Sequence, residues 1–162
     1  MKTLSRFFLS FIVSVFCIAV FQINGGSASA GFVPPAARLA IDQPRYSGQW
    51  KGPDLTVEYR YSRDQGQIDL SGKVVFAYTM VMGYTLLNNF RLGAVFLDKN
   101  GRVLQEIGLA TNRDAFDPIS FNRRINLPPN AVSIAFSYQG KAIEGADEGG
   151  SGVTSFWFYP IY

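Results

Sequence analysis

The chain has 162 residues, with 15 Lys+Arg, 12 Asp+Glu, one Cys and no His, for a net charge of +3 and a pI near 9.1. The missing His removes Ser-His-Asp triads, imidazole general bases and imidazole metal sites, and a lone Cys can close neither an internal disulfide nor a multi-thiolate zinc site. The length suits one domain, with or without a processed leader.

Lys2 and Arg6 place positive charge at the start, and an apolar run from Phe7 to Phe21 follows, broken only by Ser10 and Ser14. Asn24-Gly25-Gly26 and Ala28-Ser29-Ala30 come next. A charged region, an apolar core and an A-x-A site in this order are expected of a signal peptide spanning residues 1–30, cleaved after Ala30. The run is short for a membrane span, which needs about 20 residues. Phe16 before Cys17 is too large for a lipoprotein site, so Cys17 reads as filler of the apolar region. Cleavage removes Lys2, Arg6 and no acid, which lowers the net charge from +3 to +1. The expected location is periplasmic or secreted, with no membrane span after cleavage.

Residues 31–45 contain Pro34-Pro35 and Pro44 and read as a Pro-rich tether, with Arg38-Leu39-Ala40-Ile41 available as an edge strand. A domain over 46–162 follows. Leu55, Val57, Tyr59 and Tyr61 alternate with Thr56, Glu58 and Arg60, the period of a half-buried strand. Asp64-Gln65-Gly66 is a turn, and the even positions from Ile68 to Met80 predict a long second strand. Gly72 inside it marks a bulge or a close backbone approach. Phe90–Leu97 and Arg102–Ala110 form a hairpin about Asp98-Lys99-Asn100-Gly101. Ile119–Leu127 is a strand, Pro128-Pro129-Asn130 forces a crossover, and Val132–Tyr138 alternates cleanly. Val153–Tyr159 is the last strand.

These seven runs, with no helical periodicity, predict an all-β fold, an immunoglobulin-like antiparallel β-sandwich of about seven strands. Ser71-Gly72-Lys73-Val74 and the segment Val95–Leu104 resemble the core of FxLyD-type domains. That resemblance implies a small extracytoplasmic immunoglobulin-like module with no catalytic residues to carry over.

The polar constellations point to little chemistry. Glu144, Asp147 and Glu148, in a Gly-rich segment, are the candidate metal ligands, as oxygen donors to calcium. Asp98 does not begin an EF-hand loop, because Val103 and Leu109 stand where Gly and Glu are required. Arg123 and Arg124 are adjacent on a strand and point to opposite faces, so they make no basic patch for nucleic acid. No cofactor motif is present.

The aromatics carry the functional expectation. Trp50 precedes the first clear strand, and Phe156, Trp157, Phe158 and Tyr159 are consecutive, so both faces of the last strand bear rings. One face must be core; the other is covered by the N-terminal segment or exposed as a contact surface. These five residues are the candidate ligand- or partner-binding set. The expected role is non-catalytic protein binding or scaffolding in a bacterial envelope, through an edge strand or the aromatic C-terminal strand, with an envelope protein or a polysaccharide as partner and no nucleic acid. The alternatives are a carbohydrate-binding module using exposed aromatics and a small outer-membrane β-barrel.

Overall fold

The computed structural model describes residues 31–145 and 152–162. Among these residues nine strands form: β1 (Leu39–Ala40), β2 (Arg45–Lys51), β3 (Leu55–Asp64), β4 (Gln67–Phe76), β5 (Leu86–Leu97), β6 (Val103–Asn112), β7 (Ile119–Asn126), β8 (Ser133–Ile143) and β9 (Val153–Phe158). One short helix, α1 (Tyr78–Gly83), joins β4 to β5. The strands divide into two antiparallel sheets. One has the order β2-β3-β4-β7; in the other β6, β5 and β8 run side by side, and both β1 and β9 pair with β8. The fold is therefore a β-sandwich. A small membrane barrel needs one closed sheet with an apolar outer band. Here the outer face of the four-stranded sheet carries rows such as Ser47, Arg60, Ser71 and Asn122.

The alternation seen in the sequence sets the inward faces. Leu55, Val57, Tyr59 and Tyr61 of β3 and Ile68, Leu70, Val74 and Phe76 of β4 are buried. They meet Phe90, Leu92, Ala94 and Phe96 of β5 and Ile134, Phe136 and Tyr138 of β8 in one core. Trp50 enters between the sheets from β2 and is 9% exposed. Its ring centroid lies 5.6 Å from Phe136 and 5.2 Å from Phe158. Phe136 also meets Tyr59 edge-on at 5.3 Å. Tyr138 donates a 2.6 Å hydrogen bond to Asp54 Oδ2, which pins the β2–β3 turn beside these rings.

Three departures from the sequence pattern have physical causes. β2 is a full strand paired along its whole length with β3, although only Tyr46 and Trp50 signal its inward side and Gly48 interrupts them. The second predicted strand stops at Phe76. β3 begins opposite Phe76 at Leu55, so the chain beyond has no ladder partner. It coils instead into α1, a helix the period-2 reading excluded, with Met80 turned inward. Residues 31–45 lie against the sandwich, with Val33 and Ile41 fully buried. Gly72 marks a close approach: a Cβ there would stand 2.2 Å from the Glu58 carbonyl oxygen. The turn at Pro128-Pro129-Asn130, with Asn130 at φ 66°, carries the chain from one sheet to the other, as the prolines predict.

Phe136→Ala is expected to cost about 3–5 kcal/mol, because the ring is fully buried and touches both sheets; urea unfolding followed by tryptophan emission measures it. Burial, reinforced by the neighbouring Tyr46 and Tyr61 phenols, pushes Tyr59 up to about 12, and burial with the Asp54 contact raises Tyr138 too. The folded state thus favours the neutral phenols. Their contribution is complete below about pH 10, where the unfolded phenols titrate, and is lost as pH rises through the folded values. The urea midpoint should hold steady from about pH 7 to 9 and fall between about pH 10 and 12.

Candidate functional site

The outer face of the five-stranded sheet is divided in two. At the end where β5 runs into β6, the N-terminal segment covers it. Val33 packs on Val95, Leu97 and Ala135, with Ala37, Val103 and Ile161 around it. Arg38 fastens the segment: its Nε donates to the Val33 carbonyl at 2.8 Å and its Nη2 to the Asn100 carbonyl at 2.9 Å. Its guanidinium also lies 5.0 Å from the Phe32 ring centroid. Gly101, at φ +87°, leaves the room this guanidinium occupies. Phe32 and Tyr162 exchange two backbone hydrogen bonds of 2.9 Å, so the C-terminal tail closes the cover.

The rest of the face is open, and its register assembles a groove. Arg91 of β5 stands opposite Gln139 of β8, and Gln139 opposite Trp157 of β9. One row further, Gly108 of β6 faces Gly93 of β5, which faces Ser137 of β8. Two facing glycines leave the floor without side chains, next to a register shift in the β5–β6 ladder. The resulting groove encloses about 310 Å³ between Trp157, Tyr159, Arg91 and Glu106, within the size range of small-ligand clefts. A second depression of about 240 Å³ lies on the other side of Trp157, lined by Asn89, Lys141 and Ser155, and the two share Gln139 and Trp157.

Glu106 is held in place. Ser137 Oγ donates to its Oε1 at 3.2 Å and Tyr159 OH to its Oε2 at 3.0 Å. Partial burial and this bond to a carboxylate raise the Tyr159 phenol above its ordinary value, so it remains a neutral donor. Among the described residues Glu106 is the one carboxylate lining the groove.

The aromatic candidates separate by strand parity. Trp50 and Phe156 are buried core residues, and Phe158 is half-buried over Trp50 and Tyr138. Trp157 is 67% exposed and Tyr159 53%, and these two alone of the five line the open groove. Glu144 lies exposed just after β8, whereas Asp147 and Glu148 fall outside the described residues. Among the described residues no group of three or more acidic, Cys or His side chains converges. Arg123 and Arg124 do part to opposite faces: Arg124 pairs with Asp69 at 2.7 Å, and Arg123 Nε donates to the Leu109 carbonyl at 3.3 Å. The sequence reading missed Arg91, Gly93, Glu106, Gly108, Ser137 and Gln139. They sit on three strands, and only the pairing register brings them to Trp157. The one available signal was the pair of glycines interrupting two predicted strands.

No protein-family model matches the chain, and no curated protein resembles it in sequence.

Trp157 packs too little surface to hold the fold. Trp157→Ala is expected to change stability by no more than about 0.5 kcal/mol, read as an unchanged urea midpoint.

Proposed function

We propose that this chain is an exported, non-catalytic binding domain of a bacterial envelope, and that it engages its ligand through the open half of the outer face of the five-stranded sheet. One observation carries the reading: Trp157 stands exposed beside a floor of two facing glycines, ringed by Arg91, Gln139, Glu106 and Tyr159. A flat apolar ring among fixed donors and acceptors suits a polysaccharide, whose sugar rings offer C–H faces and hydroxyl edges together. The leader pattern of residues 1–30 supports export.

The same proposal includes an immunoglobulin-like sandwich, in keeping with the resemblance to FxLyD-type domains. Counted from β3, the first strand pairs the second, the second the fifth, the third the sixth and the sixth the seventh. These are pairings of the immunoglobulin fold. The fourth strand, β6, pairs with the third instead of the fifth.

A protein partner is the second reading. What favours it is an apolar cluster at the α1 end, where Tyr78, Val81, Met82, Leu86 and Val153 are exposed.

The test is cosedimentation of the purified domain with washed envelopes. Trp157→Ala and Gly108→Tyr should reduce retention about tenfold, a loss of one good contact. Nothing lies within 4 Å of a Cβ added at Gly108, so a side chain built there leaves the backbone freely and projects into the groove. Asn122→Ala, on the opposite sheet, should be retained like the native chain. Equal retention of all four proteins would overturn the reading.

A further inference from the structure

The groove and its neighbouring depression are two parts of one track. Trp157 rises between them, and Gln139 lines both. They follow one another along β9: Ser155 lines the second depression, Tyr159 the first, and Trp157 stands midway. Four residue steps of extended chain lead from Ser155 to Tyr159, a length of roughly 13 Å. That is longer than a single sugar ring and suits a short run of linked rings.

The charges along the track are uneven. Arg91 lines one depression and Lys141 the other, and neither is ion-paired with another described residue. Among the described residues the one acid lining the track is Glu106, with both oxygens engaged by Ser137 and Tyr159. Among the described residues no acidic side chain lines the second depression. A cation on each side of a central aromatic ring complements a chain bearing carboxylates on units flanking a stacked ring.

We infer that the ligand is a linear acidic glycan lying along β9, with one sugar ring stacked on Trp157 and the flanking units reaching Arg91 on one side and Lys141 on the other. The inference rests on the open face being the binding surface, as proposed above. Gly93 and Gly108 let the chain approach the backbone of the sheet, and Gln139 serves the stacked ring from the middle of the track. Binding takes place along the chain, so no free chain end is required.

Isothermal titration of the full domain with oligogalacturonates of one to six units, and with their methyl esters, tests this. A second acidic ladder, peptidoglycan glycan strands freed of peptide, is titrated in parallel. Affinity for an acidic ladder should rise on the order of tenfold from one unit to three and then level off. Matched uncharged esters should bind several-fold more weakly, and added salt should narrow the gap. Arg91→Gln and Lys141→Gln should each weaken the acidic oligomers and leave the esters unchanged. Trp157→Ala should weaken both kinds. A monomer that binds as well as a trimer, esters that bind as well as acids, or no binding to either acidic ladder would overturn the inference. Envelope retention that still depends on Trp157 would then show that the face binds something else. Retention indifferent to Trp157 would remove the binding face itself.

Discussion

A sandwich with no cysteine in its described residues has to be held by what lies between its sheets. Here that is a network of aromatic rings centred on Trp50. β2, β3 and β4 supply Trp50, Tyr59 and Phe76; β5, β8 and β9 answer with Phe90, Phe136, Tyr138, Phe156 and Phe158. Most of these contacts are tilted or edge-on, as the ring quadrupole favours. Rings of this size also carry a large apolar area per residue, which is how a domain of this length secures a core without covalent staples. The Tyr138–Asp54 bond ties a polar group into the same layer and leaves no buried side-chain polar atom unpaired among the described residues.

Everything outside that layer follows from strand parity. Because rings on β9 alternate, burying Phe156 and Phe158 turns Trp157 and Tyr159 outward. Because β8 buries Ile134, Phe136 and Tyr138, it turns Ala135, Ser137 and Gln139 outward. The outer face then has an apolar half, at Val95, Leu97 and Ala135, and a polar half, at Arg91, Ser137 and Gln139. The apolar half is closed by Val33, held by the Arg38 clamp and the Phe32–Tyr162 pairing. The polar half stays open. Core and open groove are thus two consequences of one alternation.

The apolar cluster at α1 is a different kind of feature. No charged residue occurs between Lys73 and Arg91. The segment coils where β3 gives out. Its exposed Tyr78, Val81 and Met82 lie away from the Arg38 clamp, at the end of the sandwich where Thr85 N–H meets the Ile143 carbonyl of β8.

The order of residues alone was enough to read the class of fold, the hairpin at Asp98–Gly101, the crossover at Pro128-Pro129 and the buried faces of β3, β4 and β8. Each is a local matter of period, turn chemistry or proline geometry. It also narrowed the aromatic question to two faces of the last strand. It did not reveal β2, whose inward side is too sparse to show a period, nor α1, which exists because a neighbouring strand ends. The burial of Val33 and Ile41 in a proline-rich segment was equally hidden, since nothing local distinguishes a docked segment from a loose one. The groove was decided by tertiary structure alone. Arg91, Glu106, Gly108 and Gln139 are far apart in the chain, and it is the hydrogen-bond register between strands, a long-range property, that sets them around Trp157.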